Sequence, residues 1–148
     1  MCGFLLRVDK QGDRSSPDQF RSAVDSLKHR GPDDDGIYTH ENVGIAHTRL
    51  SIIDLSENAC QPFEDDRTDW VMTYNGEIYN YQDLRSWLKK KGYEFRSTSD
   101  TEVLLKGWIE WQKDLFDRLN GMYSFVLYNS STGQLLVARD EFGIKPLY

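Results

Sequence analysis

The chain has 148 residues, enough for one domain with a sizeable core, and its 39% hydrophobic and 28% charged content is that of an ordinary soluble globular protein. A net charge of −6 argues against nucleic acid or an anionic membrane as the main partner, because both favour a basic face. No apolar run is long enough to span a bilayer, and the N-terminus lacks the charged-then-apolar pattern of a signal peptide, so a cytoplasmic, reducing setting is expected.

Residues 3–8, "GFLLRV", read as a buried strand. Residues 15–31 read as a helix with Ser16 as N-cap, Pro17 in the first turn, Phe20, Val24 and Leu27 on one face, and Gly31 as the stop. "GIYTH" and "NVGIAHTRLSII" read as strands, and the polar residues 55–69 as an irregular loop. "WVMTYNGEIYNY", residues 70–81, predicts two short strands about an Asn-Gly turn. "YQDLRSWLKKKG" predicts a helix ending near Gly92. Ser99 and Glu102 have capping-box spacing ahead of a long amphipathic helix that carries Val103, Leu105, Trp108, Ile109, Leu115 and Phe116. "MYSFVLYN" and "QLLVAR" about "STG" form a hairpin. Strands and helices mix without strict alternation, which predicts an α+β fold with largely antiparallel sheet.

Few residues have the right chemistry and spacing for a site. Cys2 is special if Met1 is removed, because one residue then carries a thiol nucleophile and a free α-amine. A free amine titrates at about 7.7–8.0, close enough to neutrality to serve as the base. "HRGPDDDG", residues 29–36, reads as a turn; in a functional version Arg30 or Asp33 would brace the site. Its aspartates lack EF-hand spacing, and Cys2 and Cys60 with His29, His40 and His47 do not match a zinc spacing, so no metal site is expected. A Cys2–Cys60 disulfide is disfavoured in a reducing compartment. Arg49, inside an apolar strand, needs a partner: a structural carboxylate or the carboxylate of a small ligand. Asn75 and Gly76 are either a hairpin turn or two donors aimed at one oxygen, with Glu77 beside them. Asp100 opens a helix, where an acid is favoured on dipole grounds, or faces a cleft and binds an ammonium group.

As a set these residues suit a substrate with an α-carboxylate, an α-ammonium and a side-chain amide, as in glutamine. The segments "MCGF", "RGPD", "HTRLSIIDLS", "YNGEIYNY", "SDTE", "LNGMYSFVLY" and "ARDEFGIKPLY" run in order over essentially the whole chain. They resemble the N-terminal glutaminase domain of class II glutamine amidotransferases, in particular the asparagine-synthetase branch.

The resemblance implies an N-terminal-nucleophile fold, a four-layer αββα sandwich with mostly antiparallel sheets. It implies that Cys2 attacks the glutamine side-chain amide, with its own α-amine as base. Asn75 and Gly76 then match the oxyanion hole. Arg49 matches the residue that binds the substrate carboxylate, and Asp100, helped by Glu77, the one that binds the amino group. Backbone groups of Leu50, Ser51, Ile52 and Ile53 would line the pocket. Cys60 matches no motif position and reads as structural.

The resemblance further implies L-glutamine as ligand, a synthetase domain or partner that receives ammonia, and a homodimer of the full enzyme. No cofactor is expected in this domain; ATP and magnesium belong to a synthetase domain with a Ser-Gly-Gly phosphate loop, which this sequence does not contain. In the family the glutaminase domain itself usually extends past "FGIKPLY" with further strands and helices, so the resemblance implies a domain incomplete at its C-terminus. Two other readings stay open: a donor domain for another acceptor, such as a sugar or natural-product precursor, and a non-catalytic fragment that binds glutamine or a partner.

Overall fold

The computed structural model describes residues 2–9, 16–50, 54 and 56–148. Strands β1 (Gly3–Val8), β2 (Asp34–His40) and β3 (Val43–Arg49) form one antiparallel sheet in the order β1-β3-β2. Strands β4 (Phe63–Glu64), β5 (Trp70–Ile78), β6 (Gly121–Asn129) and β7 (Leu135–Arg139) form a second antiparallel sheet in that order. Helix α1 (Pro17–Ser26) packs on β3 of the first sheet, and helix α3 (Asp100–Trp111), flanked by α2 (Tyr81–Lys90), packs on β5 of the second. Strands β1 and β3 in turn pack on β5. The result is the expected αββα sandwich.

Side-chain alternation along the strands accounts for the layers. On β6, Tyr123, Phe125 and Leu127 join the large core under α2 and α3, with Leu88, Leu104, Leu105 and Trp108. Between them, Val126 and Tyr128 face the first sheet and pack with Val43 and Ile45. On β3 every residue is buried, because α1 covers one face and the second sheet the other. Ala46 meets Phe20 and Val24 of α1, while Ile45 meets the second sheet. A strand covered twice reads as an apolar run, as residues 43–46 do, while His47, Thr48 and Arg49 at its end are buried polar residues.

Several boundaries differ from expectation for identifiable reasons. Ser16 does cap α1, in a reciprocal capping box with Gln19, but the helix ends at Ser26. Residues 27–30 continue as hydrogen-bonded turns that carry Gly31 against β3. A Cβ there would lie 2.4 Å from the Thr48 carbonyl oxygen, so Gly31 marks a close approach of two backbones rather than a helix stop. The loop 55–69 contains a short 3-10 turn, Glu57–Ala59, and β4. The long helix is two pieces: α3 stops at Trp111, Gln112 takes φ 51°, and a 3-10 segment, Gln112–Arg118, carries Leu115 and Phe116.

The Asn-Gly turn is also corrected. Asn75 and Gly76 lie inside the nine-residue strand β5, opposite Ser124 and Tyr123 of β6. Pairing along the whole of β6 overrides the local turn preference. The glycine is still required, because a Cβ at position 76 would lie 2.3 Å from the Met122 carbonyl oxygen and 2.8 Å from Tyr123 Cα. Gly76→Ala is therefore expected to lose about 1–3 kcal/mol of stability, the usual cost of forcing atoms into filled space, as read by chemical denaturation.

Candidate active site

The start of β1, the end of β3 and the middle of β5 meet at one end of the sandwich. Cys2 precedes β1, and the register pairs Gly3 with Thr48 and Phe4 with His47. Alternation then puts Cys2, Phe4, His47 and Arg49 on the face toward the second sheet, and Gly3, Leu5, Ala46 and Thr48 on the face toward α1. The Leu50 N–H donates to Cys2 Sγ at 3.3 Å. Arg30 Nε donates to the Cys2 carbonyl at 3.2 Å, which fastens the nucleophile's backbone to the turn after α1.

The thiol lies between two cavities. The smaller, about 90 Å³, is lined by Cys2 together with His47, Arg49, Leu50, Asp54, Gln61, Tyr74, Gly76, Glu77, Ser99 and Thr101. The larger, about 760 Å³, is lined by Cys2 together with Arg30, Asn75, Val126 and the segment 146–148. Gly76 and Asn75 thus border the thiol from its two sides.

The edge of β5 explains why Gly76 can serve as a donor. Tyr74 N–H donates to Gln61 Oε1 at 2.6 Å, and Ile78 N–H donates to Asp100 Oδ2 at 3.1 Å. Both groups point away from β6, toward the edge that β4 occupies only at Met72 and Val71. Alternate N–H groups of a strand share an edge, so the Gly76 N–H between them points to that edge and toward the smaller cavity. Gln61 and Asp100 occupy its two neighbours.

Asp100 is 4% exposed, and its Oδ2 also accepts from the Tyr74 hydroxyl at 2.8 Å. Burial pushes this carboxyl up, opposed by the Ile78 N–H and the Tyr74 hydroxyl. Its neighbours Ser99 and Thr101 line the smaller cavity, while the Ile78 N–H and the Tyr74 hydroxyl hold the Asp100 carboxylate at the edge of β5 beside it. Arg49 is nearly buried: Nη1 donates to the Ser56 carbonyl at 3.1 Å and to Cys60 Sγ at 3.2 Å, and Nη2 donates to the Asp54 carbonyl. Leu50 and Glu77 line the smaller cavity as well. Ser51, Ile52 and Ile53 lie outside the described residues.

Residues to which the sequence reading gives no part in the site hold this arrangement. Cys60, read as structural, touches Arg49 directly, and its thiol donates to Asp34 Oδ2 at 3.0 Å; burial first, then Asp34, pushes the thiol up. Asp54 Oδ1 accepts from the Ser56 N–H at 2.9 Å and the Ser56 hydroxyl at 2.6 Å. Its Oδ2 accepts from the Thr98 N–H at 2.7 Å and the Thr98 hydroxyl at 3.0 Å. These bonds, the Ser56 hydroxyl foremost, hold the carboxyl far below the usual carboxylate range and tie the Arg49 loop to the turn before α3. Gln61 bridges the Tyr74 N–H and the Thr101 hydroxyl. Glu102 does not complete a capping box with Ser99; it accepts from the N–H groups of Arg96 and Ser97 and from the Ser97 hydroxyl. Lys106 joins it to Asp65, at 3.4 and 3.2 Å, so a buried ion cluster fixes the turn that presents Ser99 and Thr101.

His47 is the one histidine in this cluster. Its ring is 1% exposed, and burial holds its pKa down at about 4. The Tyr74 main chain and Asp34 favour the charged form, and Arg49 opposes it. An unfolded histidine titrates near 6.5, so between pH 6.5 and 4 the unfolded chain binds more protons than the folded one. The protein is therefore expected to lose stability as pH falls through that window, by on the order of 3 kcal/mol. His47→Leu should flatten this part of the stability–pH curve, measured by urea unfolding at several pH values.

Among the described residues no group of three or more His, Cys, Asp and Glu could hold a metal ion, and no helix is long and apolar enough to cross a membrane.

Known proteins resemble this chain over its whole length. A family model described as a glutamine amidotransferase domain matches residues 1–148. Asparagine synthetase [glutamine-hydrolyzing] 1 of Bacillus subtilis (strain 168) is 44% identical over 152 residues, covering 100% of this chain and 24% of that protein. Amidase chry2 of Gibberella zeae is 34% identical over 160 residues, covering 100% of this chain and 24% of its own length. The chain thus spans about a quarter of the length of these curated relatives. Among solved structures, the glutamine phosphoribosylpyrophosphate amidotransferase of B. subtilis, complexed with ADP and GMP, superposes with a TM-score of 0.75 at 20% identity. That match covers 95% of this chain and 37% of the other, and shows a shared fold.

Proposed function

Because the chain belongs to the class II glutamine amidotransferase family, we propose that it hydrolyses the side-chain amide of L-glutamine through a thioester on Cys2. The observation that carries this reading is the placement of the Cys2 thiol, held against the Leu50 main chain, on the cavity that Arg49, Gly76 and Glu77 also line.

The chemistry follows from these groups. With Met1 removed, the α-amine of Cys2 takes the thiol proton as sulfur attacks the amide carbon. The developing oxyanion is met by the Gly76 N–H and the Asn75 side-chain amide. The amine returns its proton to the leaving nitrogen, the C–N bond breaks, and ammonia departs. Water then attacks the thioester carbon, the C–S bond breaks, and the thiolate recovers a proton. Arg49 would hold the substrate α-carboxylate by its planar fork, and Glu77 with Asp100 would favour the α-ammonium, Asp100 across the Ser99–Thr101 turn. Backbone groups of Leu50, and of Ser51, Ile52 and Ile53 beyond it, complete the pocket in this reading. No step requires a cofactor in this domain.

The ammonia is most simply donated within an asparagine-synthetase-like enzyme, whose synthetase part would use ATP and magnesium, in the cytoplasm and as a homodimer. The likeness to an enzyme named an amidase keeps a second reading in view, the same donor chemistry serving another acceptor.

The test is glutamate release from glutamine by tag-free protein whose intact mass shows Met1 gone, beside Cys2→Ala. Release by the processed protein and none by Cys2→Ala is expected. A folded, processed protein that binds glutamine without turnover would instead be a binding fragment.

A further inference from the structure

His47 sits on the same face of β3 as Arg49 and lines the smaller cavity with Cys2, Tyr74, Gly76 and Glu77. Neither of its ring nitrogens makes a hydrogen bond of good geometry, although the ring is 1% exposed; the Tyr74 main chain is the one hydrogen-bonding group close enough to favour its charged form. A neutral imidazole always presents one donor and one acceptor. The Tyr74 main chain can engage the donor, which leaves the acceptor unmatched at the cavity, a costly arrangement that an apolar side chain of the same size would avoid. The missing partner is therefore to be sought in whatever enters the cavity.

We propose that His47 is a catalytic residue that accepts a hydrogen bond from the amide nitrogen of bound glutamine and later from the water that replaces it. The inference rests on the glutaminase reading above. In the first half-reaction the C–N bond breaks and nitrogen leaves as ammonia, carrying the proton returned by the Cys2 α-amine. In the second, a water oxygen bonds to the thioester carbon, the α-amine takes the water proton, and the C–S bond breaks to give a thiolate that recovers it. The leaving nitrogen and the entering oxygen occupy the same position about the carbon, so one fixed acceptor serves both.

The surroundings keep the ring able to accept. Burial, aided by the nearby Arg49 charge, keeps it neutral, while Asp34 and the Tyr74 main chain act weakly the other way. A histidinium could only donate. A competing explanation exists on the same face, since the Thr73 and Ser124 hydroxyls are also buried without partners. A water held between the sheets by these groups would satisfy His47 without any part in the reaction.

The experiment compares Met1-processed wild type, His47→Leu and His47→Gln with glutamine, reading kcat and KM separately and acid-quenched intact mass. It adds a titration of Cys2→Ala with L-glutamine, followed by the His47 ring nitrogen signals. His47→Leu is expected to lower kcat by about 100-fold or more with little change in KM, the scale of one lost preorganised hydrogen-bond partner, and to accumulate a glutamyl adduct. His47→Gln, which keeps an accepting oxygen, should recover at least part of kcat, and the ring signals should move as glutamine binds. Unchanged kcat in His47→Leu, or ring signals that stay still while glutamine saturates the site, would assign His47 to the inter-sheet water and overturn the inference alone. If His47→Leu does not fold, His47→Gln and the titration decide. A processed wild type that neither binds nor hydrolyses glutamine overturns the glutaminase reading, and this inference with it.

Discussion

One extra residue ahead of Cys2, or a retained Met1, is expected to abolish glutamate release while leaving the fold intact. Extension converts the α-amine into an amide, which has no useful basicity, and removes the base from the only residue that combines both groups. Loss of a positioned base alone costs about 10²–10⁴-fold, and the added chain also crowds the thiol. Neighbouring groups on the smaller cavity are weak substitutes: burial makes the His47 ring a poor base with a pKa of about 4, the hydrogen bonds of Ser56 and Thr98 hold Asp54 far below the carboxylate range, and Tyr74 is pushed far above its ordinary range by burial and by Asp100. Thermal unfolding should be unchanged, because Cys2 lies ahead of β1 and contributes no ladder pair among those of β1 and β3. Full activity in an N-terminally extended protein would place the base elsewhere.

Arg49→Ala is expected to raise KM for glutamine by two to three orders of magnitude, with a smaller effect on kcat. A charge pair in a largely buried site, broken by removing one partner, costs about 3–5 kcal/mol. Arg49 is 8% exposed, so solvent cannot replace it. Arg49→Lys should recover little, because an ammonium cannot reach the Ser56 and Asp54 carbonyls and a substrate carboxylate with the same flat fork. The KM–kcat split separates binding from collapse of the loop, since a collapsed loop would lower both kcat and stability. An unchanged KM would remove Arg49 from the pocket and leave it a purely structural clasp.

The parts of the fold that were legible in the sequence are those where local pattern and tertiary demand agree. The β6–β7 hairpin, the strand β3 and the Ser16 cap all read directly. Asn75 and Gly76 illustrate the opposite case. Asn-Gly is the strongest short-range hairpin signal, yet the same glycine is needed for a backbone approach that only β6 reveals. Glu102 has capping-box spacing, but a buried lysine and the Ser97 N–H compete for it and win.

The site shows a similar division. Cys2, Arg49, Gly76 and Glu77 line one cavity, because the start of β1, the end of β3 and the edge of β5 meet there. Cys60, Asp54 and Gln61 carried no readable signal. Their importance comes from a loop that folds back on Arg49 and Tyr74, and loop closure of that kind leaves no periodicity to read. Asp100 was legible as a residue, but not its anchors: the Tyr74 hydroxyl and the Ile78 N–H hold its carboxylate at the edge of β5.

The most direct test of a Cys2 nucleophile is the site of labelling by an electrophilic glutamine analogue. Processed protein would be reacted to completion, digested and mapped at both cysteines, with excess glutamine as competitor. A single adduct on Cys2, suppressed by glutamine and absent from N-terminally extended protein, is the expected result. Labelling of Cys60 at the same rate, or of Cys2 without protection by glutamine, would contradict a glutamine-binding site built around the N-terminal thiol.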